Sequence, residues 1–286
     1  MKIQNVFLFL RMRRTGYRDR TTVILSFVVD DEELYHINSS KYEKEEKTMK
    51  EVERLKEIVE QSDNIVFFGG AGVSTESGIP DFRSTDGLYS LKYKYPPETI
   101  VSHSFFMNRT EEFYEFYKDK MMALEAKPNK AHLKLAELEQ KGKLKAVITQ
   151  NIDGLHQMAG SKEVLELHGS IHRNYCERCR HFYDAAYVKE SDGIPRCEEC
   201  GGIIKPDVVL YEEGLDSSIL QKSISYISHA DTLIIGGTSL VVYPAAGLID
   251  YFRGSHLVVI NKSPTSRDKQ ADLCVNGSIG EVLGQL

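Results

Sequence analysis

The chain has 286 residues, of which 41% are hydrophobic and 27% charged, proportions that are ordinary for a globular protein. Its formal net charge of −6 disfavours general nucleic-acid binding, because phosphate backbones are bound by basic surfaces. No stretch of sequence is long and apolar enough to predict a helix that spans a membrane. The length predicts one main domain together with a smaller one.

The first 48 residues differ in pattern from the rest of the chain. The apolar stretch Val6–Leu10 is too short for the core of a signal peptide, and a basic cluster follows it instead of preceding it. Thr48 and Glu51 form a capping-box pattern, after which apolar residues recur at helical spacing up to Val59. We therefore predict a weakly ordered extension at residues 1–48 and a first helix that begins at Thr48. A regulatory or targeting arm is the alternative hypothesis.

From Met49 onward, helical patterns alternate with short apolar runs that are typical of buried strands. The strand-like segments include LKAVITQ, DTLIIGGTS and HLVVINKS, and helical segments such as NKAHLKLAELEQKGK stand between strands. This alternation predicts an α/β fold with a doubly wound parallel sheet, into which a cysteine-containing segment is inserted.

The stretch IVFFGGAGVSTESGIPDFRS, residues 65–84, combines a predicted strand with a glycine-rich loop. Gly69, Gly70 and Gly72 follow the apolar run, and glycine permits a tight turn and a close approach to a pyrophosphate. An ordinary dinucleotide fold would continue into a long helix. Here Pro80 stops any helix, so the loop is only partly explained by that fold.

Four predicted strands end in small or hydrogen-bonding residues, at 70–72, 150–153, 237–239 and Asn261. Open parallel sheets bind their ligands at the carboxyl ends of the strands. Each of these ends alone is explained by turn chemistry or helix capping, but their recurrence at four strands favours a dinucleotide site.

Four of the five cysteines form two Cys-x-x-Cys pairs separated by seventeen residues, and Cys274 stands alone. That spacing is typical of a four-thiolate zinc module, in which two knuckles close a tetrahedron and leave no position open for substrate. We therefore predict one structural Zn²⁺ per chain, in a reducing compartment, which favours the cytoplasm. A redox pair would not explain two knuckles. The predicted ligands are Cys176, Cys179, Cys197 and Cys200.

Among nine histidines, His168 is the candidate general base. It ends the apolar run VLEL and precedes Gly169, which predicts a place at a strand end facing the cleft. A neutral imidazole there could take a proton near neutral pH. By position alone, His156, His172 and His181 remain rivals.

Taken in order, these motifs resemble those of the sirtuin family of bacterial and archaeal type. The resemblance covers about residues 62–286. It rests on GAGVSTESGIPDFR, TQNIDGLH, LELHG, the two cysteine pairs, GTSLVVYPA and VVIN. It implies a Rossmann-like large domain with a small zinc domain inserted at about 172–205, together forming a catalytic domain at 49–286. It also implies an NAD-dependent protein lysine deacetylase that uses NAD as co-substrate.

The resemblance implies a role for each part of the NAD site. Phe82 and Arg83 would belong to a mobile loop that closes over NAD. His168 would act as general base on a ribose hydroxyl, and Asn151 would assist catalysis through the ribose and an ordered water. The remaining cofactor contacts implied are Ala71, Thr75, Gln150, Ile152, Asp153, Thr238, Ser239, Asn261, Lys262 and Ile279.

The same resemblance implies that acetyl-lysine peptides or proteins bind as an added strand between VVLYEEG and GTSLVVY. The acetyl group would pass to ADP-ribose while nicotinamide is released. The chain departs from the family pattern at Tyr211-Glu212-Glu213, where the family commonly has Phe-Gly-Glu. Because Glu212 replaces a glycine and adds charge, peptide preference is open.

The acyl group is predicted from the loop that follows Arg83. Sirtuins that prefer succinyl or malonyl groups carry a tyrosine and an arginine there, whereas this chain offers Tyr89 and Lys92. Acetyl or a longer apolar acyl group is therefore expected. ADP-ribosyl transfer, NAD hydrolysis and a catalytically silent NAD-sensing module are the alternative functions. The sequence predicts no direct nucleic-acid or membrane partner and leaves the oligomeric state unknown.

Overall fold

The structure is a computed structural model that describes residues 31–81, 87 and 94–286, with side chains from residue 46 onward. The compact unit that carries both sheets spans Glu45–Leu286. In the described residues no helix combines the length and apolarity that crossing a membrane requires.

Two sheets form the framework of this unit. The described strands are β1 (Ile65–Gly69), β2 (Leu144–Thr149), β3 (Val164–Glu166), β4 (Gly169–Cys176), β5 (Phe182–Tyr183), β6 (Ile204–Val208), β7 (Thr232–Gly236), β8 (His256–Asn261) and β9 (Leu273–Asn276). The larger sheet has the order β3-β2-β1-β7-β8-β9, and each neighbouring pair is parallel. This is the Rossmann order, with its switch point between β1 and β7, and it confirms the predicted doubly wound sheet.

The described helices are α1 (Asp31–Gln61), α2 (Pro97–Ile100), α3 (His103–Asn108), α4 (Thr110–Phe116), α5 (Lys130–Gln140), α6 (Leu155–Ala159), α7 (Ala185–Glu190), α8 (Ser217–His229) and α9 (Ile279–Leu283). Helices α1, α5, α8 and α9 pack on the faces of the larger sheet, and α2, α3, α4 and α7 pack with the smaller one. A π-helical turn, Tyr117–Met121, follows α4, and a 3-10 segment, Ala245–Tyr251, follows β7.

Alternate residues of β1 point to opposite faces, as the period of two in a strand requires. Ile65 and Phe67 pack in the core cluster that contains residues of α1, α5 and α9. Val66 and Phe68 pack in the cluster that contains residues of α8 and the 3-10 segment. All four side chains are fully buried, which explains why this strand is continuously apolar rather than alternating.

The prediction that the first helix begins at Thr48 was wrong, because α1 runs without a break from Asp31 to Gln61. Glutamate and lysine are good helix formers, and pairs four residues apart stabilise the helix further. Lys50 lies 2.7 Å from Glu46, and Lys47 lies 3.7 Å from Glu51. These side chains favour helix on both sides of Thr48, so the capping pattern there does not start one.

The smaller sheet has the order β5-β4-β6 and is antiparallel. Its strand β4 follows β3 after only Leu167 and His168. Gly169 sits at a φ of 74°, and a Cβ there would lie 1.9 Å from the carbonyl oxygen of Asp207, so only glycine fits. Arg173 joins the two sheets by ion pairs of 2.7 Å to Glu166 and to Asp207.

A chain that begins at Met49 should keep its fold and its thermal stability. The described side chains of α1 that reach the core, Val52, Leu55, Ile58 and Val59, all lie beyond the cut. We expect the melting temperature to change by less than about 4 °C, equivalent to roughly 1 kcal/mol in a domain of this size. Adding Leu55→Ala to the shortened chain should cost about 2–5 kcal/mol and shows that the measurement is sensitive. A large loss from the truncation alone would show that residues 1–48 belong to the folded body.

Candidate active site

A cleft of about 990 Å³ opens at the carboxyl edge of the larger sheet and extends towards the smaller one. Its walls come from the loops after β1, β2, β7 and β8, from the start of α9, and from the segment after β6. The structure brings together in this cleft every predicted cofactor or catalytic residue that it describes: Ala71, Thr75, Gln150, Asn151, Ile152, Asp153, His168, Thr238, Ser239, Asn261, Lys262 and Ile279. Phe82 and Arg83, like Tyr89 and Lys92, lie outside the described residues.

The floor of the cleft is formed by two loops whose backbones touch at the switch point. The N–H of Gly72 donates to the carbonyl of Gly237 at 2.8 Å. A Cβ on Gly72 would lie 2.8 Å from the Cα of Gly237, and Gly237 itself has a φ of 58°. A Cβ on Gly70 would lie 2.8 Å from Thr238. The glycines after β1 are therefore required by backbone contact, before any ligand is considered.

Polar side chains at the ends of three strands, β2, β7 and β8, are tied together above these loops. Gln150 Nε2 donates to Thr238 Oγ1 at 3.0 Å. Asn261 Nδ2 donates to the backbone carbonyl of Thr238 at 3.1 Å. Thr238 is only 8% exposed, so its hydroxyl is held in a fixed direction at the centre of the cleft.

A second polar group lies under the other end of the cleft, where Ser74 links the loops after β1 and β2. Ser74 Oγ donates to Asp153 Oδ2 at 2.6 Å and accepts from Asn151 Nδ2 at 3.0 Å. Asp153 Oδ1 also accepts the N–H of Leu155, at the start of α6. Asn151 and Asp153 are therefore oriented by Ser74, a residue that the sequence analysis did not single out. Its signal was its position within the glycine loop, three residues after Ala71.

His168 occupies the cleft wall at the junction of the two sheets. Its Nδ1 lies 3.0 Å from the carbonyl oxygen of Gln150. Because a carbonyl only accepts, Nδ1 carries the proton and Nε2 is left as an acceptor. Burial lowers the pKa of His168, although the hydrogen bond to Gln150 opposes this. The ring is therefore neutral near pH 7 and suited to act as a base.

The rival histidines have other environments. His172 Nε2 donates to the carbonyl of Asp153 at 3.0 Å, so that nitrogen is already used. His181 is exposed immediately before β5 and packs on Tyr183. His156 is 1% exposed and lies under α5, with its ring 4.7 Å from that of His132. Neither nitrogen of His156 has a hydrogen-bond partner among the described residues.

Glu212 departs from the glycine of the family pattern, and it adopts the backbone that glycine favours, with a φ of 77°. Left-handed backbone costs an ordinary residue about 1 kcal/mol. Its carboxylate accepts from both the N–H and the hydroxyl of Ser104, at the start of α3. Glu213 beside it accepts from Lys205 at 3.1 Å and lies 2.8 Å from His103 Nδ1. Both carboxylates are thus held by partners at the cleft mouth.

The four paired cysteines come together at one end of the smaller sheet. Their sulfur atoms all lie within 4.8 Å of one another. Cys176 Sγ lies 3.4 Å from Cys200 Sγ, and Cys179 Sγ lies 3.5 Å from Cys197 Sγ. A zinc ion 2.3 Å from each of four sulfurs separates them by about 3.8 Å, so the cluster has the right size. Gly202 carries no Cβ, which would otherwise lie 2.8 Å from Cys176 Sγ.

Comparison with known proteins places this architecture in a family. The family model described as "Sir2 family" matches residues 70–244. The NAD-dependent protein deacetylase of Clostridium acetobutylicum is 64% identical over 235 residues, covering 81% of this chain and 96% of that protein. The enzyme of the same name from Clostridium perfringens is 63% identical, covering 82% and 98%.

Solved structures agree with the sequence comparison. One described as "Sir2-p53 peptide-NAD+" is 42% identical, has a TM-score of 0.73, and covers 81% of this chain and 95% of that one. The chain belongs to the Sir2 family, the sirtuins that its motifs resemble.

Replacing His156 by leucine should make the protein more resistant to acid. Burial lowers the pKa of His156 in the folded state, whereas an unfolded histidine takes up a proton below about pH 6.5. Stability is therefore lost as the pH falls below that value. The difference in free energy of unfolding between His156→Leu and the unchanged protein should be up to about 2 kcal/mol more favourable to the variant at pH 5 than at pH 8. That value is the linkage limit for one histidine over the interval.

The measurement is urea unfolding at both pH values. His229→Leu removes an exposed histidine and controls for the loss of an imidazole as such. An equal effect of His156→Leu at the two pH values would contradict the assignment of a neutral buried ring.

Proposed function

We propose that the chain is an NAD-dependent protein lysine deacetylase that transfers the acetyl group of acetyl-lysine to ADP-ribose and releases nicotinamide. The observation that carries this proposal is the place of His168, which has an acceptor nitrogen and lines the same cleft as the dinucleotide-type strand ends. The names of the two clostridial relatives support the reaction, and the complex with peptide and NAD⁺ supports both substrates.

The proposed NAD site divides the cleft into two halves. Ala71 and Thr75 would line the diphosphate and a ribose, because the loop after β1 lies at the switch point. Ser239 and Lys262 would hold the adenosine side, together with Thr238, Asn261 and Ile279. Each of these residues lines the cleft, and the bonds of Thr238 to Gln150 and Asn261 fix the centre of that wall.

The nicotinamide half would be formed by Ile152 and Asp153, with Gln150 and Asn151 beside the ribose. A carboxylate can accept the N–H of a carboxamide, and Asp153 is already aimed by Ser74 and by the N–H of Leu155. Phe82 and Arg83 are proposed to close over NAD, on the family pattern alone.

His168 would take the proton of a ribose hydroxyl on Nε2. Gln150 supports this role because its carbonyl accepts the Nδ1 proton and so fixes the tautomer. Lowering of the pKa of His168 keeps the ring neutral at physiological pH. As the pH falls through that lowered pKa, the ring becomes charged and can no longer act as a base, so activity should fall on the acid side.

The peptide is proposed to add as a strand between the segment after β6 and the loop after β7. Three large apolar side chains are exposed beside this channel: Tyr211, Val241 and Tyr243. They favour acetyl-lysine sites flanked by apolar residues, since the carboxylates of Glu212 and Glu213 are engaged with the protein. Acetyl or a longer apolar group remains the proposed acyl group of the substrate lysine.

Zinc is proposed to be structural. Four thiolates complete a tetrahedron around one ion. Bound zinc would therefore cross-link the two knuckles and would have no coordination position open to a substrate. Tyr183 supports the cluster by donating its hydroxyl to Cys197 Sγ at 3.2 Å. A thiolate zinc site also fits the reducing conditions of the cytoplasm, which we propose as the location.

Mass spectrometry of a reaction with NAD and an acetyl-lysine peptide tests the proposed function. Free lysine peptide and O-acetyl-ADP-ribose in equal amounts are expected. ADP-ribosylated protein, or free ADP-ribose with the peptide unchanged, would indicate the alternative transferase or hydrolase. No turnover of NAD would indicate a binding module.

In the same assay His168→Ala should lower kcat by a factor of about a hundred to ten thousand, the usual cost of losing a general base. NAD binding, measured by calorimetry, should stay close to normal. His256→Ala is the matched control. His256 is the first residue of β8, so it lies at the amino-terminal ends of the strands, opposite the cleft. Near-normal turnover of His168→Ala would contradict the assignment of His168 as general base, and His172 would be tested next.

Changing Cys176→Ser should release zinc, unfold the smaller sheet and abolish activity as a consequence, because the energy of metal binding at such a site is folding energy. Metal content, the melting temperature and the circular dichroism spectrum report the three effects. Cys274→Ser controls for loss of a thiol outside the cluster. Zinc that can be stripped with no change in melting temperature would contradict a structural role.

A further inference from the structure

Glu76 connects two parts of the cleft that are far apart in sequence. Its Oε2 accepts the backbone N–H of Gly280 at 2.7 Å, a bond between residues 204 positions apart. Glu76 follows Thr75 in the loop after β1, and Gly280 is the second residue of α9. The bond therefore joins the glycine loop at the switch point to the far wall of the cleft.

The segment that Glu76 holds is itself part of the cleft wall. Gly277, Ser278 and Ile279 line the cleft. The N–H of Gly277 donates to the carbonyl of Asn261 at 3.2 Å, which fixes the beginning of the segment. Glu76 fixes its end. Ile279 packs so closely over the switch point that a Cβ on Gly236 would lie 2.5 Å from its Cδ1.

We propose that Glu76 is a positioning residue for the adenosine side of the dinucleotide site. It would set the distance between the loop that binds the diphosphate and the wall formed by Ser278 and Ile279. This inference rests on the proposed function only in taking NAD as the ligand. Glu76 is not among the residues that line the cleft, so it acts through Gly280 and not by touching NAD.

The contact is specific in shape. A Cβ on Gly280 would lie 2.8–2.9 Å from the three carboxylate atoms of Glu76, so an alanine there would push the carboxylate away. By contrast, Glu281 on the same helix is exposed and outside the cleft lining. A change at Glu281 therefore measures the general effect of an acidic residue in the first turn of α9, separately from the contact between Glu76 and Gly280.

Binding of ADP-ribose, measured by calorimetry, tests the proposal. Glu76→Ala should weaken binding about fivefold to tenfold, the effect of losing a partly exposed hydrogen bond to a charged acceptor. Glu76→Gln keeps an oxygen acceptor of the same shape and should retain affinity within about threefold. Glu281→Ala is the matched control and should bind as the unchanged protein does.

Kinetics separate positioning from a merely structural role. In Glu76→Ala the KM for NAD should rise by the same factor while kcat at saturating NAD and inhibition by free nicotinamide stay unchanged. A variant with a lower melting temperature but unchanged affinity for ADP-ribose would overturn the proposal. Equal weakening by Glu281→Ala would overturn it too.

A double-mutant cycle gives a second, independent result. Gly280→Ala alone should weaken ADP-ribose binding by displacing Glu76, yet have little further effect in the Glu76→Ala background. Additive effects would contradict the contact. Should Glu76→Ala fail to fold, Glu76→Gln and Gly280→Ala decide the matter by themselves. Because calorimetry needs no turnover, a failed deacetylase assay would refute the proposed function without refuting this inference.

Discussion

The contact between the backbones of Gly72 and Gly237 is the constraint on which the cleft depends. The Gly72 N–H donates across the switch point at 2.8 Å, and neither residue has room for a Cβ. This approach brings the loop after β1 against the loop after β7, so that Thr238 reaches across β1 to Gln150, which follows β2. The polar centre of the site is therefore a consequence of how tightly two glycine turns can pack.

Away from that centre, His168, Asn151 and Asp153 are oriented by a backbone carbonyl or by a small polar side chain. The Gln150 carbonyl selects the tautomer of His168, and Ser74 aims both Asn151 and Asp153. Backbone carbonyls are carried by the strands themselves, which makes the geometry as rigid as the sheet. A site built in this way suits a reaction in which charge develops on a ribose, since the surrounding dipoles need not reorganise.

The sequence was sufficient to predict the fold class, because each strand of the larger sheet is a short apolar run that ends in a turn signal. It also predicted that 70–72, 150–153, 237–239 and Asn261 meet in one cleft, since carboxyl ends of parallel strands share one edge, whereas Thr75, Lys262 and Ile279 were implied by the family resemblance. Ser74 and Glu76 were missed because their partners, Asp153 and Gly280, lie 79 and 204 positions away. A lone serine or glutamate in a loop carries no sign of such a distant partner.

One wrong prediction, at Thr48, and one question left open, at Glu212, both have local causes. Thr48 matched a capping pattern, but the charged residues before it are themselves good helix formers, so α1 continues through it. At Glu212 the sequence indicated a departure from glycine without showing how the backbone would respond. The structure shows Glu212 in the left-handed conformation, with its carboxylate bonded to Ser104.

The strand order has a consequence for how the protein is made. Strand β1 pairs with β2 on one side and with β7 on the other, and Ile65 meets Thr232 in that second ladder. A nascent chain emerges from its N-terminus, so β1 must wait until β7 has been synthesised before the glycine turns can meet. The wall at Ile279 is completed later still, because α9 follows β8 and β9 in the chain. The cleft is thus assembled only after both β7 and α9 have been synthesised, and the long-range parallel pairing it needs is intrinsically slow to form. Until then the apolar edge of β1 facing β7 is unpaired, and this is the interval in which the growing chain most needs protection from aggregation.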